Sequence, residues 1–146
     1  MIALDTNILV HARREEMPFH APARALVADL VLGDAPWAIP WPCVYEFIRV
    51  VTHARVFRPP TPLDLAMDEL ERLFDAPSLT LLGDGPLHRV HWRRAVREGR
   101  ATGPLVYDAH IAALLAEHGV GEFWTLDRDF SRFAWVKTRD PFLKSS

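Results

Sequence analysis

Five carboxylates stand where a sheet-edge site needs them. Asp5 directly follows the apolar run Met1–Leu4, and Glu46 lies three residues after Cys43, in the first turn or so of a helical stretch. Asp108 stands at the start of another helical stretch, and Asp127 and Asp129 follow an apolar run ending at Leu126. In open parallel sheets, ligand sites form beyond the carboxyl ends of strands, where the next helices begin. Asp5, Glu46, Asp108 and Asp127, successively 41, 62 and 19 residues apart, can therefore converge on one edge. Gathered carboxylates repel one another and each resists desolvation. A hard divalent cation with oxygen ligands, magnesium or manganese, offsets both costs. Held against a phosphodiester, such a cation activates water and neutralises charge during in-line attack. Each acid also has a plainer role. Asp5 and Asp108 fit as helix caps, Glu46 as a surface partner of Arg49 at i+3, and Asp127 and Asp129 as turn formers.

The elements that would position these acids follow from periodicity and punctuation. Met1–Leu4 reads as a buried strand, and Ile8–Arg14 as one or two helical turns. A helix over 22–32 has apolar residues at i, i+3 and i+4, with Pro22 in its first turn. Trp37–Pro40 is a short strand bracketed by prolines, and Cys43–Ala54 a helix. Thr61 is a candidate N-cap for a helix running to Phe74, with Pro62 at its first position. Leu79–Leu82 is a strand, His88–Arg97 a helix, and Tyr107 or Asp108 opens a helix through His118, with Gly119 as a left-handed cap. Glu122–Leu126 is the last clear strand, and Val136-Lys137 a small edge strand. Strands alternating with helices, joined by connections too long for hairpins, predict an α/β fold with a mainly parallel sheet.

Composition bounds the function. The 146 residues fit one domain, 1–146, and a formal charge of −2 excludes binding to nucleic acid by overall basicity. The single cysteine, Cys43, excludes an internal disulfide framework and any site built from several cysteines. The opening residues carry no basic, apolar leader, and no run approaches the roughly 20 apolar residues of a membrane span, so a cytoplasmic protein is expected.

At the acids themselves the sequence resembles a known family. Ile2–Val10, Glu46-Phe47-Ile48-Arg49, Asp108–Ala113 and Thr125–Phe130 are similar to PIN-domain ribonucleases, and more narrowly to VapC toxins of type II toxin–antitoxin modules. The likeness covers nearly the whole chain. It implies a PIN-like three-layer α/β/α fold and a Mg2+-dependent endoribonuclease, with Mn2+ as substitute, inhibited by a VapB-type antitoxin and forming a homodimer. Position by position, Asp5, Glu46, Asp108 and Asp127 match the family's acidic quartet. Asp5, Asp108 and Asp127 would hold the metal, and Glu46 would orient or deprotonate the attacking water. Thr6, Asn7 and Thr125 would support them, and Asp129 is a second candidate for the fourth acid.

Charge is uneven along the chain. Between His88 and Arg100, five arginines stand against Glu98, with Trp92 among them. Arg93, Arg94 and Arg97 on this stretch suit phosphate contact and base stacking on single-stranded RNA; the plainer alternative is a solvated helix with Trp92 turned inward. Arg49 and Arg128 lie nearer the acids in sequence. Some of Trp37, Trp41, Phe47, Phe57, Trp92 and Trp124 exceed what one core needs and are available to a dimer or an antitoxin groove. Two other readings compete with the nuclease. One is a catalytically silent domain that binds RNA or antitoxin; the other is a haloacid-dehalogenase-like phosphatase, whose Asp-x-Asp is broken here by Asn7. Seven histidines also allow metal-free acid–base cleavage, although the family pattern assigns none of them a catalytic role.

Overall fold

The computed structural model describes residues 1–144. Its five strands are β1 (Ile2–Leu4), β2 (Trp37–Pro40), β3 (Leu79–Leu82), β4 (Glu122–Trp124) and β5 (Thr138–Arg139). Between them run α1 (Thr6–Arg13), α2 (His20–Leu32), α3 (Trp41–Val51), α4 (Leu63–Phe74), α5 (His88–Glu98) and α6 (Leu105–Glu117), with a 3-10 helix at Arg128–Arg132. Every strand pair is parallel and the order is β3-β2-β1-β4-β5. Successive strand residues point to opposite faces, and all four residues of β2 are buried, so helices cover the sheet on both sides. This is the expected three-layer α/β/α arrangement.

Topology places the site. The chain winds outward from β1 through β2 to β3, then returns to lay β4 on the other side of β1. The crevice between β1 and β4 is thus the topological switch point, where ligands of such sheets bind. Register pairs Leu4 with Trp124, so Asp5 and Thr125 leave the sheet side by side. The bond from Asp5 N–H to Trp124 O, 3.0 Å, extends that ladder by one step.

Several element boundaries differ from the sequence expectation, each for a local reason. Helix α1 begins at Thr6 because Asp5 caps it directly. Helix α6 begins at Leu105, since Pro104 already carries helical angles, and Asp108 therefore stands inside the first turn rather than at the cap. Glu46 lies two residues further into its helix than expected, because α3 starts at Trp41 with Pro42 in its first turn. Thr61 does not cap α4: its buried hydroxyl accepts from Arg14 Nη1 at 3.0 Å, and the helix starts without a side-chain cap. Strand β4 stops at Trp124 because the N–H groups of Leu126 and Asp127 turn to Asn7 Oδ1 and Thr125 Oγ1. The edge strand forms at Thr138–Arg139 rather than Val136-Lys137. Gly119 follows α6 with φ +64°, the left-handed cap expected of it.

The aromatic surplus is mostly core. Trp37, Phe47 and Phe57 are buried, Trp37 donating its indole N–H to Ser78 Oγ at 2.9 Å. Trp41 packs on Tyr45 and Phe74, and Trp124 lies under Arg139. Of the six aromatics expected to include a partner surface, Trp92 alone is exposed, at 40%. It is turned outward, not inward. Among the described residues, no helix is long and apolar enough to cross a membrane.

Candidate active site

Asp5 is held from four directions. Its Oδ1 caps α1 by accepting from Thr6 N–H at 2.7 Å and also receives the Cys43 thiol at 3.5 Å. Its Oδ2 accepts from the Thr125 hydroxyl at 2.7 Å and from Asn7 Nδ2 at 3.4 Å. The cap reading is therefore correct for Asp5, and it coexists with a place in the acidic cluster. Only 5% of the residue is exposed. Burial pushes its carboxyl up to about 6 and the nearby charge of Glu46 adds to this, while the bonds from Thr125, Thr6 and Cys43 resist it.

Thr125 is the hub of the supporting layer. While its hydroxyl donates to Asp5, its oxygen accepts from Asp127 N–H at 2.9 Å and Asn7 Nδ2 at 3.3 Å. Asn7 spans β1 and β4 by also accepting from Leu126 N–H at 3.3 Å. Thr6 Oγ1 lies 3.2 Å from both Cys43 O and Glu46 Oε2, tying α1 to α3. Glu46 also meets Arg49 Nη2 at 3.5 Å, the i+3 pair of the plainer reading. All three supporting residues expected from sequence, Thr6, Asn7 and Thr125, touch an acid or its neighbour.

Asp108 projects from the first turn of α6 without capping anything. Burial and then the charges of Asp127, Asp5, Asp129 and Glu46 push its carboxyl up to about 6. The 3-10 helix supplies two of those charges. Asp127 caps it by accepting from Asp129 N–H at 2.8 Å, and this tight turn curls both side chains toward α6. Carboxylate oxygens of Asp108, Asp127 and Asp129 consequently lie within 4.8 Å of one another. The turn itself thus directs both acids to one place. Asp5 stands outside that closest trio, its oxygens already engaged by protein donors.

Two clefts meet at the acids. One, of about 420 Å3, is lined by Asp5, Glu46, Asp108 and Asp127 together with apolar Val10, Ile111 and Phe130. The other, of about 760 Å3, is lined by Glu46, Arg49, Asp108, His110 and Asp129. Among arginines expected near substrate, Arg49 thus borders the acids, and exposed Arg128 sits between Asp127 and Asp129 in sequence. Arg93, Arg94 and Arg97 line neither cleft; they occupy the outer face of α5, where Arg94 pairs with Glu98 at 3.1 Å and covers the Trp135 ring at 4.5 Å.

The donor set fits a hard divalent cation: it is all oxygen, partly open, and carries more negative charge than the protein itself neutralises. Sequence reasoning missed two residues next to these clefts. Cys43, noted only as a lone thiol, touches Asp5, and burial raises its thiol well above the usual range. His11 lines the first cleft and accepts the Phe19 N–H on Nδ1 at 3.2 Å. Neither has a motif signal, since both contacts depend on helix packing.

Comparison with known proteins agrees with this geometry. The PIN domain family model matches residues 2–136. Ribonuclease VapC48 of Mycobacterium tuberculosis is 33% identical over 138 residues, covering 94% of this chain and 95% of that protein. Among solved structures, Mycobacterium tuberculosis VapC20, a sarcin–ricin-loop-cleaving toxin, superposes with a TM-score of 0.67 at 18% identity, covering 95% of this chain and 99% of that one. VapBC2 of Rickettsia felis, bound to a promoter DNA fragment, gives 0.63 at 17% identity, covering 95% and 98%. With its parallel sheet, its switch-point acids and these relatives, the chain belongs to the PIN-domain family, on its VapC branch.

Proposed function

We propose that this chain is a Mg2+-dependent endoribonuclease, the toxin of a type II toxin–antitoxin module, with Mn2+ able to substitute. One observation carries the reading: Asp108, Asp127 and Asp129 bring carboxylate oxygens within 4.8 Å of one another, beside a cleft that Asp5 and Glu46 also line. The names of the VapC ribonucleases and of the VapBC complex supply the substrate class and the antitoxin. Residues 1–146 act as one domain in this reading, without a membrane partner, in the cytoplasm, and as a homodimer.

Asp5, Asp108 and Asp127 are the proposed metal ligands, with Asp129 beside them. When bound, Mg2+ supplies charge neutralisation at the phosphoryl oxygens and lowers the pKa of coordinated water. Glu46, fixed by Thr6 and Arg49, accepts a proton from the attacking water. The water oxygen bonds to phosphorus in line with the departing 3′ oxygen, which takes a proton from solvent. Products therefore carry a 5′-phosphate and a 3′-hydroxyl, because no 2′-hydroxyl takes part. Arg49 and Arg128 meet the phosphate nearest the acids, and Arg93, Arg94 and Arg97 meet the strand further away. Cleavage of RNA with Mg2+ or Mn2+, loss of cleavage in EDTA and loss in Asp5→Asn test the proposal. Binding of RNA without cleavage, under all conditions tried, favours the silent binding domain instead.

A further inference from the structure

A second cluster lies beyond the acids, where α5 packs on α6. Asp84 is in the loop after β3, His88 opens α5 and His110 sits on α6, two residues past Asp108. His110 Nε2 is 2.7 Å from Asp84 Oδ1, and His88 Nε2 is 3.6 Å from the same oxygen. The two imidazole centroids are 5.0 Å apart. One ligand atom from each residue falls within 4.8 Å of the other two.

The loop that carries Asp84 is clamped. Glu117, near the end of α6, accepts from Gly85 N–H at 3.0 Å and Leu87 N–H at 2.9 Å, while His118 Nε2 meets Gly83 O at 2.8 Å. A side chain on Gly85 would meet the Glu117 carboxylate and push that flexible end out of its present place. Glu117 Oε1 also faces His88 Nδ1 at 4.0 Å, and that nitrogen is buried without a hydrogen-bond partner among the described residues.

Both nitrogens of His88 thus face carboxylates, Nε2 toward Asp84 and Nδ1 toward Glu117. A neutral imidazole carries one proton, so one nitrogen always turns a lone pair toward an acceptor. A cation between Nε2 and Asp84 removes the conflict and lets Nδ1–H point at Glu117, the carboxylate–histidine–metal relay of protein metal sites. A second proton on the ring is the competing remedy. We propose that Asp84, His88 and His110 bind a Zn2+-class transition-metal ion, with Glu117 as positioning residue, and that the ion clips the β3–α5 loop and α5 onto α6. Two imidazoles and one carboxylate form a borderline-soft set with room for a fourth, solvent-side ligand, unlike the all-oxygen cluster nearby. The site does not depend on the nuclease reading.

The test is Zn2+ binding by tag-free full-length chain in excess Mg2+, read by competition with a chromophoric chelator. One Zn2+ per chain is expected, retained in Asp108→Asn/Asp127→Asn and lost in His88→Gln and in His110→Gln. Glu117→Gln should keep the stoichiometry and weaken affinity about 10-fold or more. Should a variant unfold, imidazole 15N shifts of the unmutated chain answer the same question, since Zn2+ must move Nε2 of both His88 and His110. Absence of Zn2+ binding with His88 found doubly protonated overturns the proposal. So does Zn2+ binding that survives both histidine variants and disappears with the acids.

Discussion

The acidic cleft and the outer face of α5 are two strongly charged regions of the molecule, and they are built on opposite principles. In the cleft, carboxylates from four separate segments are drawn partly out of water, and Thr6, Asn7 and Thr125 tie down those of Asp5 and Glu46. On α5, Arg93 and Arg97 stand exposed, and Arg94 is engaged by Glu98 and Trp135. The first arrangement concentrates charge at an energetic cost that a bound cation offsets. The second leaves charge solvated, where it attracts a polyanion weakly and without geometry. Chemistry belongs to the desolvated region, steering to the solvated one.

Removing an acid should separate the two most sharply. Asp108→Asn is expected to lower RNA cleavage by more than about 100-fold, beyond what loss of an outer partner typically costs a metal site. Its RNA affinity should stay near the unmutated level, as filter binding would report.

Next in size is Thr125→Val, which keeps the shape and removes the hub hydroxyl. Asp5 Oδ2 then loses its shortest donor and Asp127 N–H its acceptor. Metal affinity should fall by about 10–100-fold, measured by titration calorimetry. Stability should fall by about 1–3 kcal/mol, read from denaturant midpoints.

A pH series on metal-free protein tests the energetic cost itself. Both Asp5 and Asp108 are raised from an ordinary 3.8 to about 6 in the fold. Below about pH 4 they are protonated in both the folded and the unfolded chain and carry no penalty. The penalty grows as pH rises from about 4 to 6 and is complete above 6, about 3 kcal/mol for buried Asp5. Their contribution to Tm therefore falls across that window, and Mg2+ restores it above pH 6. Asp108→Asn should flatten the fall and raise the metal-free Tm at pH 7 by a few degrees; an unchanged profile would mean its charge carries no such cost.

The smallest effect belongs to α5. Neutralising Arg93 and Arg97 should reduce the salt dependence of RNA binding by about 0.7 in log–log slope for each phosphate left without its arginine, and Arg94→Ala by less. A slope unmoved by the double change assigns the face to solvent alone.

Legibility in the sequence follows the same division. The acids could be picked out because each follows a strand or enters a helix, a relation that survives in one dimension. The parallel sheet was readable because prolines and glycines punctuate the elements. What tertiary packing decides was not. Pro104 moved the start of α6 and with it the position of Asp108 in its turn. Thr61 has the spacing of a cap, yet Arg14, 47 residues away, takes its hydroxyl. The aromatic surplus looked like a partner surface, and close packing absorbs most of it. Asp84 and His88 are four apart and on view in the sequence, but His110 and Glu117 join them only once α5 lies on α6.

The most direct test of the central claim is to map the ends of RNA cleaved by the purified chain in Mg2+. Metal-dependent hydrolysis at the acids gives 5′-phosphate and 3′-hydroxyl ends that vanish in EDTA and in Asp108→Asn. Ends bearing a 2′,3′-cyclic phosphate, or cleavage undiminished by EDTA, would contradict it.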